Sequence, residues 1–325
     1  MVHIEIEKRI KNGLFMSQIK NLQNPAVCSD SSSHSSKLVE SAMILAAGRG
    51  ERMKPLTDYL PKPLLPIAGK PMMQRHLEQL MDSGFSQVVI NHAWLGHLIE
   101  SHFQNRFDGI SKSLDIIYSR EQPALETAGG IAKALKYMPL SDASPYLFVI
   151  NGDVVCDWDF EWIEPLAWRL HERGDWACLV LVPNPPHHLE GDFAFIPDIK
   201  TPHVDEGNPS YFLDLGRVFS AESDPLDERE KANNSTKSTL TFAGIGIYHR
   251  DLFLPLCDES HLNMPCRLAP ILREAMAQNR VMGHRFMGDW QDIGTPERYL
   301  SAGGNFSPTD NGLKPADAPE YKLFE

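Results

Sequence analysis

AMILAAGRGERMKPLTDYLPKPLL, residues Ala42 to Leu65, opens with an apolar run short enough to be a buried parallel strand and breaks at Gly48-Arg49-Gly50. Two glycines at a strand-to-loop junction let the backbone turn sharply and bring its N–H groups close to a ligand, the way such junctions cradle phosphate. Arg49, Arg52, Lys54 and Lys62 then follow closely, a local positive lining in a chain whose net charge is −12. A dinucleotide fingerprint would need glycine where Met53 stands and a helix at once, which Pro55 opposes. A phosphate loop of the Gly-Lys-Ser/Thr type fails because Gly69-Lys70 runs into Pro71. A purely structural glycine turn leaves the spaced basic residues without a reason.

Outward from this stretch, strand and helix patterns alternate. Residues 71–83 carry Met72, Met73, Leu77, Leu80 and Met81 at helical spacing up to Gly84; 87–91 reads as strand, 94–103 as helix and 114–118 as strand. The segment from Glu121 to Gly130 opens a helix over 131–135, and the strand 146–150 ends at Asn151-Gly152-Asp153. This order predicts an α/β fold with a doubly wound, mostly parallel, Rossmann-like sheet. Ligands are then expected at the carboxyl ends of the strands, where the glycine loop and Asp153 both fall. An aspartate just past a buried strand suits Mg²⁺ in triphosphate chemistry, although any such residue can also close a turn.

The second half is less regular. A tryptophan-rich helix is expected over 157–173 and an apolar strand over 176–182, followed by His187-His188, which reads as a solvated loop because adjacent residues rarely face one ion. Residues 197–237 are acidic and read as an irregular insertion; strand resumes over 241–248, and a helix covers 268–278. Near the end, Asp292 precedes Gly294-Thr295-Pro296-Glu297, with Thr295 as helix cap and Pro296 at the first helical position.

Gly48-x-Gly50-x-Arg52-Met53-x-Pro55-Leu56-Thr57, with Pro61-Lys62-Pro63-Leu64-Leu65-Pro66 after it, resembles the signature of the sugar-1-phosphate nucleotidyltransferases. These enzymes join a nucleoside triphosphate to a sugar 1-phosphate and release pyrophosphate. The resemblance covers about residues 41–304, and the phrases ILAAGRGERM, VVINHAWLG, NGDV, GDF and TFAGIGIY are most similar to bacterial members that act on N-acetylmuramate 1-phosphate. It implies a GT-A-like nucleotidyltransferase fold, with residues 41–155 on the nucleotide side and 156–304 on the sugar side. UTP and a sugar 1-phosphate are the implied small-molecule substrates, and Mg²⁺ the cofactor, held by Asp153 and Asp292. Arg52, Lys62, Asp153 and Asp292 are the implied catalytic set. Ala46, Ala47, Gly48, Arg49, Gly50, Lys62 and Asn151 would bind the nucleotide, with Glu121 at the base-reading position and Gln122 beside it. Asp192, Gly244 and Asp292 would face the sugar.

Several residues depart from the family pattern. Glu121 stands where a Gln-like side chain is usual; it can accept from a pyrimidine N3–H but offers no amide donor. Glu126 replaces the usual glycine, and the Glu-Lys-Pro whose lysine holds the sugar phosphate in many relatives is missing. UTP and dTTP present the same pyrimidine edge, so another hexose 1-phosphate or a thymidylyl donor is the alternative substrate pair. Two other classes compete: a nucleotide-sugar sensor without turnover, and a glycosyltransferase using an Asp-x-Asp pair, for which Asp157-Trp158-Asp159 has the spacing.

Composition narrows the partners. With 42% hydrophobic and 23% charged residues among 325, the chain has the make-up of a globular protein, and a pI near 5.5 argues against nucleic-acid binding. No apolar run is long enough to span a membrane. Five cysteines without close pairing read as reduced thiols, which places the expected site of action in the cytoplasm. Residues 1–40, serine-rich toward their end, are expected to form a disordered or weakly structured extension, and 305–325 a tail.

Overall fold

Near-continuous apolar runs become the central strands. A computed structural model describes residues 37–198, 214–221, 238–258 and 261–306. Nearly all of the expected N-terminal extension, most of the acidic insertion and nearly all of the tail lie outside those residues.

The strands of three or more residues, in chain order, are β1 (Val39–Ala46), β2 (Gln87–His92), β3 (Arg106–Asp108), β4 (Ser113–Arg120), β5 (Tyr146–Asn151) and β6 (Val154–Cys156). The second half adds β7 (Ala177–Val182), β8 (Phe193–Pro197), β9 (Leu215–Ser220), β10 (Ser238–His249), β11 (Val281–Arg285) and β12 (Trp290–Asp292). Ten of these form one sheet in the order β8-β9-β11-β7-β10-β5-β1-β2-β4-β3, while β6 and β12 pair separately. The block β5-β1-β2-β4 is parallel, as the alternating pattern predicts. On the other side of β5 every contact but β7–β11 is antiparallel.

Helices cover both faces because alternate residues of each central strand point opposite ways. Ile44 and Phe148 join the core under α1 (Met72–Asp82), α2 (Gly96–Phe103) and α4 (Ile163–Arg173). Their neighbours Met43 and Val149 join the core under α3 (Glu126–Ala134) and α5 (Leu268–Ala277). A third, smaller core matters most for the site. Met53 and Leu65 of the glycine-loop region pack with Ile293 and Tyr299 near the short helix α6 (Pro296–Ser301), and the Tyr299 hydroxyl donates to the Pro66 carbonyl at 2.7 Å. The two most distinctive sequence elements, far apart in the chain, are thereby joined.

Two expectations are corrected. The helix after the Glu121 segment begins at Glu126, not Ile131, so Gly129 and Gly130 lie inside it. Its early N–H groups are satisfied from a distance, by the Cys266 carbonyl, which accepts from Ala128 (2.9 Å) and Gly129 (3.1 Å). Within the acidic insertion, Leu215–Ser220 forms a strand, paired antiparallel to β8 and β11, with Gly216 and Val218 turned inward.

Candidate active site

Parallel register brings the strand ends together: Ala46 lies opposite His92, and Leu45 opposite Asn151. A cleft of about 330 Å³ opens there. It is lined by the turn Leu45 to Arg49, by Lys62, Pro63, Asn91, Asn151 and Asp153, and by Ala124, Glu126 and Thr127 of the segment after β4. Of the residues expected from sequence, Ala46, Ala47, Gly48, Arg49, Lys62, Asn151 and Asp153 therefore line one cavity. The two loop glycines differ. A Cβ on Gly48 would meet nothing within 4 Å, whereas Gly50 has φ +68° and a Cβ there would lie 2.9 Å from the Thr57 methyl. Gly48 opens onto the ligand space; Gly50 shapes the loop.

Asp153 and Asp292 are brought side by side by the small antiparallel pair β6–β12, in which Asp292 lies opposite Val154 and the Ile293 N–H donates to the Asp153 carbonyl at 3.3 Å. Both carboxylates are 29% exposed, and each has a basic partner. Lys62, only 11% exposed, makes a tight ion pair with Asp153, and Arg298 donates to Asp292 at 3.1 Å. Arg298 also donates to His187 Nε2 at 2.5 Å. Desolvation and the adjacent guanidinium lower the His187 pKa.

Arg49 is heavily engaged. Its guanidinium lies 3.6 Å over the Trp94 ring, donates to the Thr57 carbonyl at 2.9 Å and pairs with Asp58 at 2.6 Å. Arg52 is exposed on the same loop and makes no ion pair among the described residues.

The structure does not bring Gly50, Arg52, Glu121, Gln122, Asp192, Gly244 or Asp292 to the cavity wall itself. Glu121 is 5% exposed and turned inward onto Asn91, and Gln122 is exposed outside the cleft. Asp192 uses both oxygens locally, toward His188 (3.1 Å) and the Phe242 N–H (2.9 Å). Gly244, at φ +76° in an irregular part of β10, lets Asn151 pack closely: a Cβ there would sit 2.7 Å from Asn151 Nδ2. Asn91 and Thr127 were missed from the sequence. Asn91 had a usable signal, a polar residue ending the apolar run Val88-Val89-Ile90, just as Asn151 ends β5. The Asp157-x-Asp159 pair does not form a carboxylate couple at the cleft, since Asp159 caps a short helical turn by accepting from the Glu161 N–H.

Among the described residues no cluster of three or more His, Cys, Asp or Glu side chains could hold a metal. Backbone pairing nevertheless places Asp153 and Asp292 at adjacent strand positions, and one or two carboxylates are the donor set of a hard cation that completes its shell from water and substrate phosphate. No helix among the described residues is long and apolar enough to cross a membrane.

Known proteins bear on this geometry. The nucleotidyl transferase family model matches residues 41–188. An N-acetylmuramate alpha-1-phosphate uridylyltransferase of Neisseria meningitidis is 44% identical, over 80% of this chain and 96% of that protein. The chain belongs to the sugar-1-phosphate nucleotidyltransferases. A UTP–glucose-1-phosphate uridylyltransferase of Synechocystis is 34% identical over 80% of this nucleotidyltransferase and 62% of its own length. In fold, the chain is similar to a putative glucose-1-phosphate thymidylyltransferase from Bacillus anthracis, with a TM-score of 0.56 at 17% identity over 83% of this chain and 98% of that one. A UDP-glucose pyrophosphorylase gives a TM-score of 0.57 at 18% identity, over 82% and 97%.

Proposed function

We propose that this nucleotidyltransferase moves the uridylyl group of UTP onto N-acetylmuramate 1-phosphate, forming UDP-N-acetylmuramate and pyrophosphate in the cytoplasm as part of cell-wall recycling. The observation that carries the reading is the meeting of Asp153, Lys62 and the open Gly48 turn in one cleft, with Asp292 beside it. The choice of sugar and base rests on the Neisseria relative.

Backbone N–H groups at Gly48 and its neighbours hold the β- and γ-phosphates. Lys62, nearly buried beside Asp153, orients the reacting phosphates and offsets negative charge on them, and exposed Arg52 meets the departing pyrophosphate. No protein nucleophile is required. An oxygen of the sugar 1-phosphate attacks the α-phosphorus, the bond from that phosphorus to the β-phosphate bridge breaks, and pyrophosphate leaves opposite. Asp153 and Asp292 would hold Mg²⁺, which when bound supplies charge neutralisation at the phosphate oxygens.

The test is pyrophosphate release by the purified chain across nucleoside triphosphates and sugar 1-phosphates with Mg²⁺. UTP with N-acetylmuramate 1-phosphate is expected to give the highest kcat/KM. Preference for dTTP or for a neutral hexose 1-phosphate would refute the substrate assignment, and tight binding with no pyrophosphate would mark a sensor.

A further inference from the structure

Glu121 occupies the position where the family resemblance expects a base-reading side chain, yet it is buried and does not line the cleft. It is 5% exposed and its two oxygens meet two N–H donors: Asn91 Nδ2 at 2.7 Å and the Leu125 amide at 2.7 Å. Asn91, 2% exposed, in turn accepts from the Ala46 amide through Oδ1 at 2.9 Å. No freedom remains in the direction of these bonds. The Ala46 N–H is necessarily a donor, so Asn91 must turn its oxygen toward it and its NH₂ toward Glu121; the Leu125 N–H is likewise a donor. Only a group with two acceptors fits between. A glutamine of the same shape would set donor against donor at one of the two contacts. The site is also too tight to rearrange, because a Cβ on Gly130 would lie 2.7 Å from both Glu121 Oε1 and Asn91 Nδ2.

The ends of this relay lie in two chain segments that line the cleft. Ala46 leads into Ala47 and Gly48, and Leu125 leads into Glu126 and Thr127. We propose that Glu121 is a positioning residue which, through Asn91, sets the spacing of the phosphate-binding turn against the opposite loop, and that it does not read the base. Burial raises its pKa, against the pull of the Leu125 and Asn91 donors, as expected for a carboxylate committed to internal bonds. The chemistry explains why a carboxylate replaces the family's amide here: the second acceptor is needed inside the protein, not by the ligand.

The inference uses UTP as its probe and so rests on the proposed function, but its test has a second readout that does not. Three variants are compared with the parent: Glu121→Gln, Asn91→Asp, and the two together. The first sets donor against donor, and the second sets carboxylate against carboxylate. In the double variant the new carboxylate accepts from Ala46 and from the new amide, whose carbonyl accepts from Leu125. Every donor then meets an acceptor and the relay keeps one negative charge. Each single change is expected to raise KM for UTP roughly tenfold, the scale of one buried hydrogen bond left unmade, with a smaller effect on kcat and a lowered Tm. The double variant is expected to recover most of both losses. If it is no better than the sum of the singles, the relay does not exist as described and the proposal fails. If Tm recovers but KM does not, the relay is scaffolding alone and the positioning role fails. Should the parent prefer another nucleoside triphosphate, the UTP reading falls, and the same cycle in Tm and in KM for the accepted nucleotide still decides the role of Glu121.

Discussion

Replacing each loop glycine by alanine separates ligand space from loop shape. At Gly50 the left-handed φ of +68° costs an alanine about 1–2 kcal/mol. The added Cβ would also lie 2.9 Å from the methyl of Thr57, a fully buried residue whose hydroxyl donates to the Gly50 carbonyl at 2.9 Å. Thr57 cannot turn aside without giving up that bond, a further loss of about 1 kcal/mol. Gly50→Ala should thus lose about 2–3 kcal/mol, lowering Tm by roughly 3–5 °C for a chain of this size. At Gly48 the backbone is outside the left-handed region and a Cβ meets nothing within 4 Å. Gly48→Ala should hold Tm within about 1 °C of the parent while raising KM for UTP at least tenfold, because the methyl stands where phosphate must approach the backbone. Differential scanning calorimetry and steady-state pyrophosphate release read the two effects separately. The reasoning is refuted if Gly48→Ala destabilises as much as Gly50→Ala, or if it leaves KM for UTP unchanged.

Other substitutions test other parts. Asp153→Asn and Lys62→Met should each lower kcat by about 10²–10³ with an unchanged circular dichroism spectrum, since both acid and base are in the cleft and Asp153 is exposed enough to hydrate when unpaired. Glu126 begins α3 at φ +59°, a conformation glycine adopts without penalty. Glu126→Gly should therefore gain about 1 kcal/mol, visible as a Tm rise of roughly 1–2 °C; a fall in Tm would contradict it. His284 is buried, with its pKa lowered to about 4 by desolvation against the opposing pull of Asp214. Below pH 6.5 the unfolded chain takes up a proton that the native state refuses until about pH 4, so stability is complete above 6.5 and lost as pH falls toward 4. Urea unfolding should show the parent losing up to about 1.4 kcal/mol per pH unit more than His284→Leu over that window.

Legibility in the sequence followed the range of the interactions. The parallel block was readable because Ala42 to Ala46 and Tyr146 to Ile150 are apolar throughout, a local property of strands buried on both faces. Strand β9 was hidden: six residues with weak alternation sit between acidic segments, and pairing partners far along the chain supply its order. The start of α3 was hidden for a similar reason, since its cap is the distant Cys266 carbonyl and its first residue has positive φ. The meeting of Asp153 and Asp292 depends on two strands of three residues each, too short to carry any periodicity, and only the family resemblance pointed to it. The Thr127-Ala128-Gly129 motif, by family resemblance, puts Glu121 at the base-reading position along the chain. A motif gives no side-chain direction, and the hydrogen-bond demands of Asn91 and Leu125 turned Glu121 inward.

Charge in the cleft is nearly balanced before any substrate arrives, and this has a consequence for how a polyanion enters. Lys62 is paired with Asp153, Arg49 with Asp58, and Arg298, beside the cleft, with Asp292. Glu126 adds a further negative charge to the wall, and Arg52, without an ion pair among the described residues, is exposed on the loop. Little uncommitted positive charge faces a triphosphate, and the glycine-turn amides bring only partial charges. The nucleotide should therefore depend on its divalent cation for binding as well as for reaction. Calorimetric titration of UTP with Mg²⁺, and again after EDTA, tests this: affinity is expected to fall by at least tenfold without the metal, the scale of one lost charge-assisted contact. The native Tm of the free protein should stay unchanged, since both acids already have basic partners. Equal UTP affinity in the two titrations would mean that Lys62 and Arg49 leave their carboxylates for phosphate unaided, and that the pairs seen here are weaker than their geometry implies.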